Sequence, residues 1–223
     1  ACFAPNHFLM TTTTGGAARV LQWLELWHQT EWPELKVFFN SVTDHWATIT
    51  LSGPESRSLL APLTDIDLSP TDFAFMDWRA GLVCGLPARV FRISFTGELT
   101  YEINVNANDG LALWQALMAA GAEVDLTPYG TETMHVLRAE KGFVIVGQDT
   151  DGSVTPEDLG MGWAVAKRKK FSFVGQRGMM RADCLRGQRK QFVGLSPLNP
   201  SCVLPEGSQI VFARPQSLPA AMV

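Results

Sequence analysis

Glu102 is the residue whose type and setting raise the question of chemistry. It lies in "RISFTGELTYEINV" (Arg92–Val105), where Tyr101, Ile103 and Val105 alternate with Glu102 and Asn104. That period of two predicts a strand with the three apolar side chains on one face and Glu102 on the other. The carboxylate then either faces solvent or stands on the floor of a ligand pocket, where it accepts hydrogen bonds from a bound molecule. Glu98, in the preceding "TGEL" (Thr96–Leu99), falls in an expected hairpin turn and reads as a solvated charge; Tyr101, on the opposite face, reads as core.

Other arrangements that could carry chemistry are weaker. "GLVCGLPARVF" lacks the third glycine and the strand-to-helix context of a dinucleotide loop, so no flavin or nicotinamide site is expected in this chain. "GQDTDGSVTPEDLG" is as acidic as a calcium loop but has no ligand at the twelfth place, and reads as a polar turn. His7, His28, His45 and His135 have no metal-binding spacing, and Cys2, Cys84, Cys184 and Cys202 form no CxxC pair. Well-separated cysteines fit reduced thiols in a cytoplasmic protein. No serine sits in a G-x-S-x-G elbow.

The bulk composition narrows the partners. The chain has 223 residues, is 46% hydrophobic and 18% charged, and carries a formal net charge of −4. That describes a globular protein with a sizeable core, whose acidic balance disfavours nucleic acid or an anionic membrane as partner. No apolar run approaches the length of a membrane span.

The elements that must position Glu102 follow from periodicity. Val20, Leu21, Leu24 and Trp27 predict a helix closed by Pro33; Lys36–Phe39 and His45–Leu51 predict strands; "SGPESRSLL" predicts a short helix. "DGLALWQALMAAG" predicts a helix capped by Asp109 and ended by Gly121, with Leu111, Leu113, Trp114 and Leu117 buried. "TPYGTETMHVLRAEKG" predicts a turn and a helix ending at Gly142, with Val136 buried. "FVIV" and "GWAV" read as strands, and "QFVGLSP" and "SQIVFA" as the first strands of a separate β domain. The fold class is therefore α+β: a βαββαβ unit of ferredoxin type over Ile49–Val146, within a module of residues 1–190, followed over 191–223 by the start of a separate β domain.

The wording of the chain adds a resemblance. "SGPESRSLL", "ISFTGELTYEINV", "LRAEKG", "GQDTDGSVTPEDLGMGWAV" and "FSFVGQRGM" occur in that order and together resemble the folate-binding aminomethyltransferase family of the glycine cleavage T-protein. "HFLMTTTTGGAARVLQWLE", "FAFMDWRAG" and "TPYGTETMHVLRAEKGFVIVGQDTDG" are similar to one branch, the carboxy-terminal region of heterotetrameric sarcosine oxidase alpha subunits. The likeness runs from about Phe8 to Pro205. It implies tetrahydrofolate as the bound molecule and the other oxidase subunits as partners, with flavin and NAD held elsewhere in the complex. It further implies capture of the one-carbon unit from sarcosine as 5,10-methylenetetrahydrofolate, and that the β domain over 191–223 is the start of a small β-barrel.

By the same resemblance Glu102 matches the family's folate-binding glutamate. A pterin offers a 2-amino group beside N3–H, two parallel donors that a carboxylate accepts together. The family's helix arginine, four residues before the R of "RxExG", is replaced here by Met134, leaving Glu132, His135 and Arg138 as substitute folate contacts. The family's catalytic aspartate would precede Ala1, so the chain reads as a truncated module with no assigned catalytic residue, expected to be inactive alone. Two alternatives stay open: a glycine cleavage aminomethyltransferase, which Met134 counts against, and a non-catalytic folate-binding scaffold. The scaffold branch carries a reactive cysteine where this chain has Ser172.

Overall fold

A computed structural model describes residues 1–209 and places two units along the chain, Ala1–Val144 and Ile145–Val223. The first unit is built on a four-stranded antiparallel sheet of β3 (Trp46–Ser52), β4 (Trp78–Val83), β5 (Leu86–Phe91) and β6 (Thr100–Asn106), in the order β3-β6-β5-β4. A small hairpin, β1 (Cys2–Ala4) and β2 (His7–Phe8), and the helix α1 (Ala17–Thr30) precede it. The helix α2 (Ser56–Leu60) follows β3, α3 (Gly110–Ala120) follows β6, and α4 (Thr131–Glu140) closes the unit.

Strand alternation sets the two faces of the sheet. Leu51, Val83, Ala88, Val90, Tyr101, Ile103 and Val105 are buried in one core with Leu59, Leu60, Leu68 and Phe73, and α3 covers this face with Leu113 and Leu117. The Tyr101 ring contacts Phe73 at 5.9 Å, and its hydroxyl accepts from Arg57 Nε at 3.1 Å. Its phenolic oxygen is thus satisfied inside the core.

The strand β4 escapes the periodicity reading, because its signal is the turn that follows it. Cys84 and Gly85 both have positive φ, +52° and +77°, and join β4 to β5 with Val83 opposite Leu86. Positive φ at both central residues is the geometry of a tight hairpin turn, and glycine supplies half of it without strain.

Several expectations are corrected. The βαββαβ unit is not completed: β3, β6 and β5 pair as neighbours, but β4 joins the sheet as an extra strand beyond β5, and the stretch 143–146, expected as the last strand, is not a strand. Leu111, Trp114 and Val136 are exposed. The helix α3 is apolar on most sides, and the pair four residues apart that meets the sheet is Leu113 and Leu117. Asp109 stands at the N-cap without a side-chain cap bond; Asn106 instead accepts from the Asn108 backbone N–H at 3.0 Å. Among the described residues Lys36–Phe39 finds no partner strand, and Phe38 lies open to solvent.

In the second unit the described residues form no strand. Ile145–Asp149 is a turn, Gly162–Ala164 a single 3-10 turn, and α5 (Gln176–Met179) one short helix. "QFVGLSP" is irregular, and "SQIVFA" lies outside the described residues from 210 onward. No helix among the described residues is long and apolar enough to cross a membrane.

Candidate functional site

Glu102 sits in the central strand β6, with Thr50 of β3 opposite it on one side and Phe91 of β5 on the other. It therefore projects from the sheet face away from the core. That face is rich in aromatic side chains. Trp78 stacks on Phe91 with ring centres 6.3 Å apart, and Phe3 meets Trp78 edge-on at 4.4 Å. The Arg89 guanidinium lies over both Trp46 and Phe3, at 4.4 and 4.5 Å. One rung from Glu102, Thr48 donates to Asn104 Oδ1 at 2.7 Å.

Glu102 is half-buried in this setting, and burial raises its pKa above the ordinary carboxylate value. No hydrogen bond from a described residue offsets that desolvation. A carboxylate partly shielded from water beside flat apolar rings can accept donors from a bound molecule.

A cavity of about 660 Å³ opens beside the outer edge of β3. Its wall includes Thr50, Ser52, Leu59, Trp114, Tyr129 and Met134. Met134 thus reaches the same cavity as Thr50, the register partner of Glu102, while Glu102 itself is not on the wall. Glu132 is exposed and His135 half-buried, and neither lines the cavity. Arg138 is buried and turns to the end of its own helix, where Nη1 donates to the Phe143 carbonyl at 3.0 Å. Glu98 pairs with Lys141 at 3.5 Å, both side chains well exposed.

Sequence reasoning passed over a group of hydroxyls beside Glu102. Ser52 bonds to Thr96 at 3.0 Å and to Thr100 at 2.8 Å, and Ser94 bonds to Thr100 at 3.1 Å. Thr96 and Thr100 are buried. The available signal was the run of small hydroxyl residues on the Glu102 side of the alternation, Thr50 and Ser52 on β3 and Thr100 on β6. Among the described residues, no cluster of three or more histidine, cysteine or acidic side chains could hold a metal ion.

Residues 1–169 match the GCVT N-terminal domain. The chain belongs to the GCVT family. Named relatives agree with that placement. The sarcosine oxidase alpha subunit of Corynebacterium sp. (strain P-1) is 54% identical over 93% of this chain and 22% of its own length. That of Rhizobium meliloti (strain 1021) is 40% identical over 92% of the chain and 21% of its length. An aminomethyltransferase of Halothermothrix orenii is 28% identical over 81% of the chain and 48% of its length. This GCVT chain therefore spans about a fifth of the length of the oxidase subunits it matches. Its mixed helices and antiparallel strands are consistent with part of a T-protein-like module.

Proposed function

We propose that the chain is the tetrahydrofolate-binding portion of a sarcosine oxidase alpha subunit, taking up the one-carbon unit from oxidative demethylation of sarcosine as 5,10-methylenetetrahydrofolate. The observation that carries this reading is the half-buried carboxylate of Glu102, which receives no hydrogen bond from a described residue and stands beside Phe91 on an aromatic face. A pterin edge with two parallel donors suits such an acceptor, and aromatic rings suit a flat heterocycle. GCVT membership and the names of the relatives support it from outside the geometry.

In this reading the chain's own residues bind and orient. Glu102 fixes the pterin edge, and the cavity beside β3, large enough for part of such a ligand, takes up what extends from it. Met134, where the resemblance expects arginine, gives that cavity an apolar wall; Glu132, His135 and Arg138 stay subsidiary, since none of them lines it. Catalysis then comes mainly from holding the reacting nitrogens near a labile electrophile. Flavin and NAD belong to other parts of the complex, the other oxidase subunits are the partners, and the cytoplasm is the compartment. Residues 191–223 begin a β-barrel domain in the same proposal, on the strength of the family resemblance.

The test is Glu102→Gln in the full-length chain assembled with its partner subunits. The amide turns one acceptor into a donor facing a pterin N–H. Tetrahydrofolate affinity by calorimetry is expected to fall by about 2–4 kcal/mol, roughly thirty- to a thousandfold. Sarcosine oxidation persists, and free formaldehyde replaces methylenetetrahydrofolate as product. Unchanged folate affinity defeats the reading.

A further inference from the structure

The hydroxyls beside Glu102 form a network with a single possible polarity. Thr100 Oγ1 donates to the Glu98 carbonyl at 3.0 Å, and a carbonyl can only accept. The one proton of Thr100 is thereby used, so Ser52 and Ser94 must both donate to it. The proton of Ser52 is then used as well, so Thr96 must donate to Ser52. Four protons make four bonds, and every arrow leads to Thr100 and out through Glu98.

Thr100 consequently fastens three parts of the chain at one point: the end of β3 through Ser52, the stretch after β5 through Ser94, and the turn Thr96–Leu99 through Glu98. The same turn is pressed against the end of α4. Gly97 adopts φ of +79°, and a Cβ there would collide with the Lys141 side chain, while Glu98 forms its ion pair with that lysine. Lys141 is the C-cap of α4, the helix whose Met134 reaches the cavity. Thr100 is also two residues from Glu102 on the same face of β6. The joint therefore links the strand that carries Glu102 to the helix that carries Met134.

We infer that Thr100 is a positioning residue for folate recognition, its hydroxyl network holding the Glu102 strand in fixed relation to α4. This inference rests on the folate reading above. It is tested in the full-length assembled protein by measuring tetrahydrofolate affinity calorimetrically for Thr100→Val, Thr100→Ser, Glu102→Gln and the double variant Thr100→Val with Glu102→Gln. Thr100→Val keeps the shape and removes the hub, and should weaken binding about tenfold. Thr100→Ser keeps the hydroxyl and should bind like the natural chain. In the double variant, Thr100→Val should cost little beyond Glu102→Gln alone, because both act through one carboxylate.

A merely structural role gives a different pattern: Thr100→Val lowers the thermal midpoint, and its factor multiplies fully onto that of Glu102→Gln. That result overturns the inference, as does native affinity in Thr100→Val. Native affinity in Glu102→Gln overturns the folate reading itself, and the positioning role with it. Should Thr100→Val fail to accumulate as folded protein, Ser52→Ala, which removes one branch of the network, is carried through the same cycle under the same criteria.

Discussion

The two units are held together by different physics. Residues 1–144 owe their order to a sheet whose inner face buries Tyr101, Ile103, Val105, Val90 and Val83 almost completely against Leu113, Leu117 and Phe73. Among the described residues from 145 onward there is no strand, and the order comes from polar groups. Asp158 is their centre. Its carboxylate accepts from Arg189 Nε at 2.8 Å and Nη2 at 2.6 Å, and from the Thr155 backbone N–H at 2.7 Å. Arg189 also donates to the carbonyls of Ser153 and Asp183, and the Phe192 backbone N–H donates to the Asp158 carbonyl. One unit is a core with a candidate site on its outer face, whereas the other is loops gathered around Arg189, which pairs with both Asp158 and Asp183. The difference teaches where each is vulnerable: the first to loss of volume, the second to loss of a charge.

The largest expected effect tests the first half of that contrast. Ile103 is fully buried in the central strand, and Ile103→Ala should destabilise the sheet unit by about 2–5 kcal/mol in chemical denaturation. A loss below half a kcal/mol would mean that the sheet is not organised by its core. Next comes Asp158→Asn, which replaces the nearer of the two anionic acceptors of Arg189, the other being Asp183 at 3.2 Å. Burial leaves Arg189 only 16% exposed, so its charge has little water to turn to. Amide exchange and proteolytic cleavage within 145–209 should accelerate. Unaltered protection there would show that the ion pair decorates these loops without holding them.

The features legible beforehand were those written in local pattern. Alternation through β6 placed Tyr101, Ile103 and Val105 inward and Glu102 outward, and the structure agrees. The existence of α3 and α4 was equally plain, but the buried side of α3 was not. With leucine, alanine and tryptophan on most of its circumference, only contact with the sheet selects Leu113 and Leu117 over Leu111 and Trp114. The turn at Cys84–Gly85 was hidden because cysteine is an uncommon residue at positive φ, so β4 went unread. Apolar runs such as "FVIV" invited a strand assignment that tertiary structure did not take up. As for the site, Glu102 was singled out by resemblance and by face, whereas the cavity and the hydroxyl network join residues more than forty positions apart. No local pattern encodes such contacts.

The smallest expected effect separates the two carboxylates by the sign of their pH dependence. Hydrogen bonds from Arg189 and Thr155 hold Asp158 well below the usual carboxylate range. Its contribution to stability is therefore present above the unfolded-state value and is lost as pH falls toward the folded one. Glu102 is shifted the other way, raised by burial. Folded protein then binds its proton more readily than unfolded chain does, so stability declines as pH rises from the unfolded value, about 4.3, through the raised folded value. Glu102→Gln removes that decline. Below the window the variant and the natural chain should unfold alike, because a protonated glutamate and a glutamine are both neutral. Above it the variant should be the more stable of the two, even though the proposed folate role gives it the poorer ligand affinity. Urea denaturation at a series of pH values measures the difference directly. A variant that is less stable than the natural chain at neutral pH would mean that Glu102 already has a stabilising partner within the protein, and that its carboxylate is not held in reserve for a ligand.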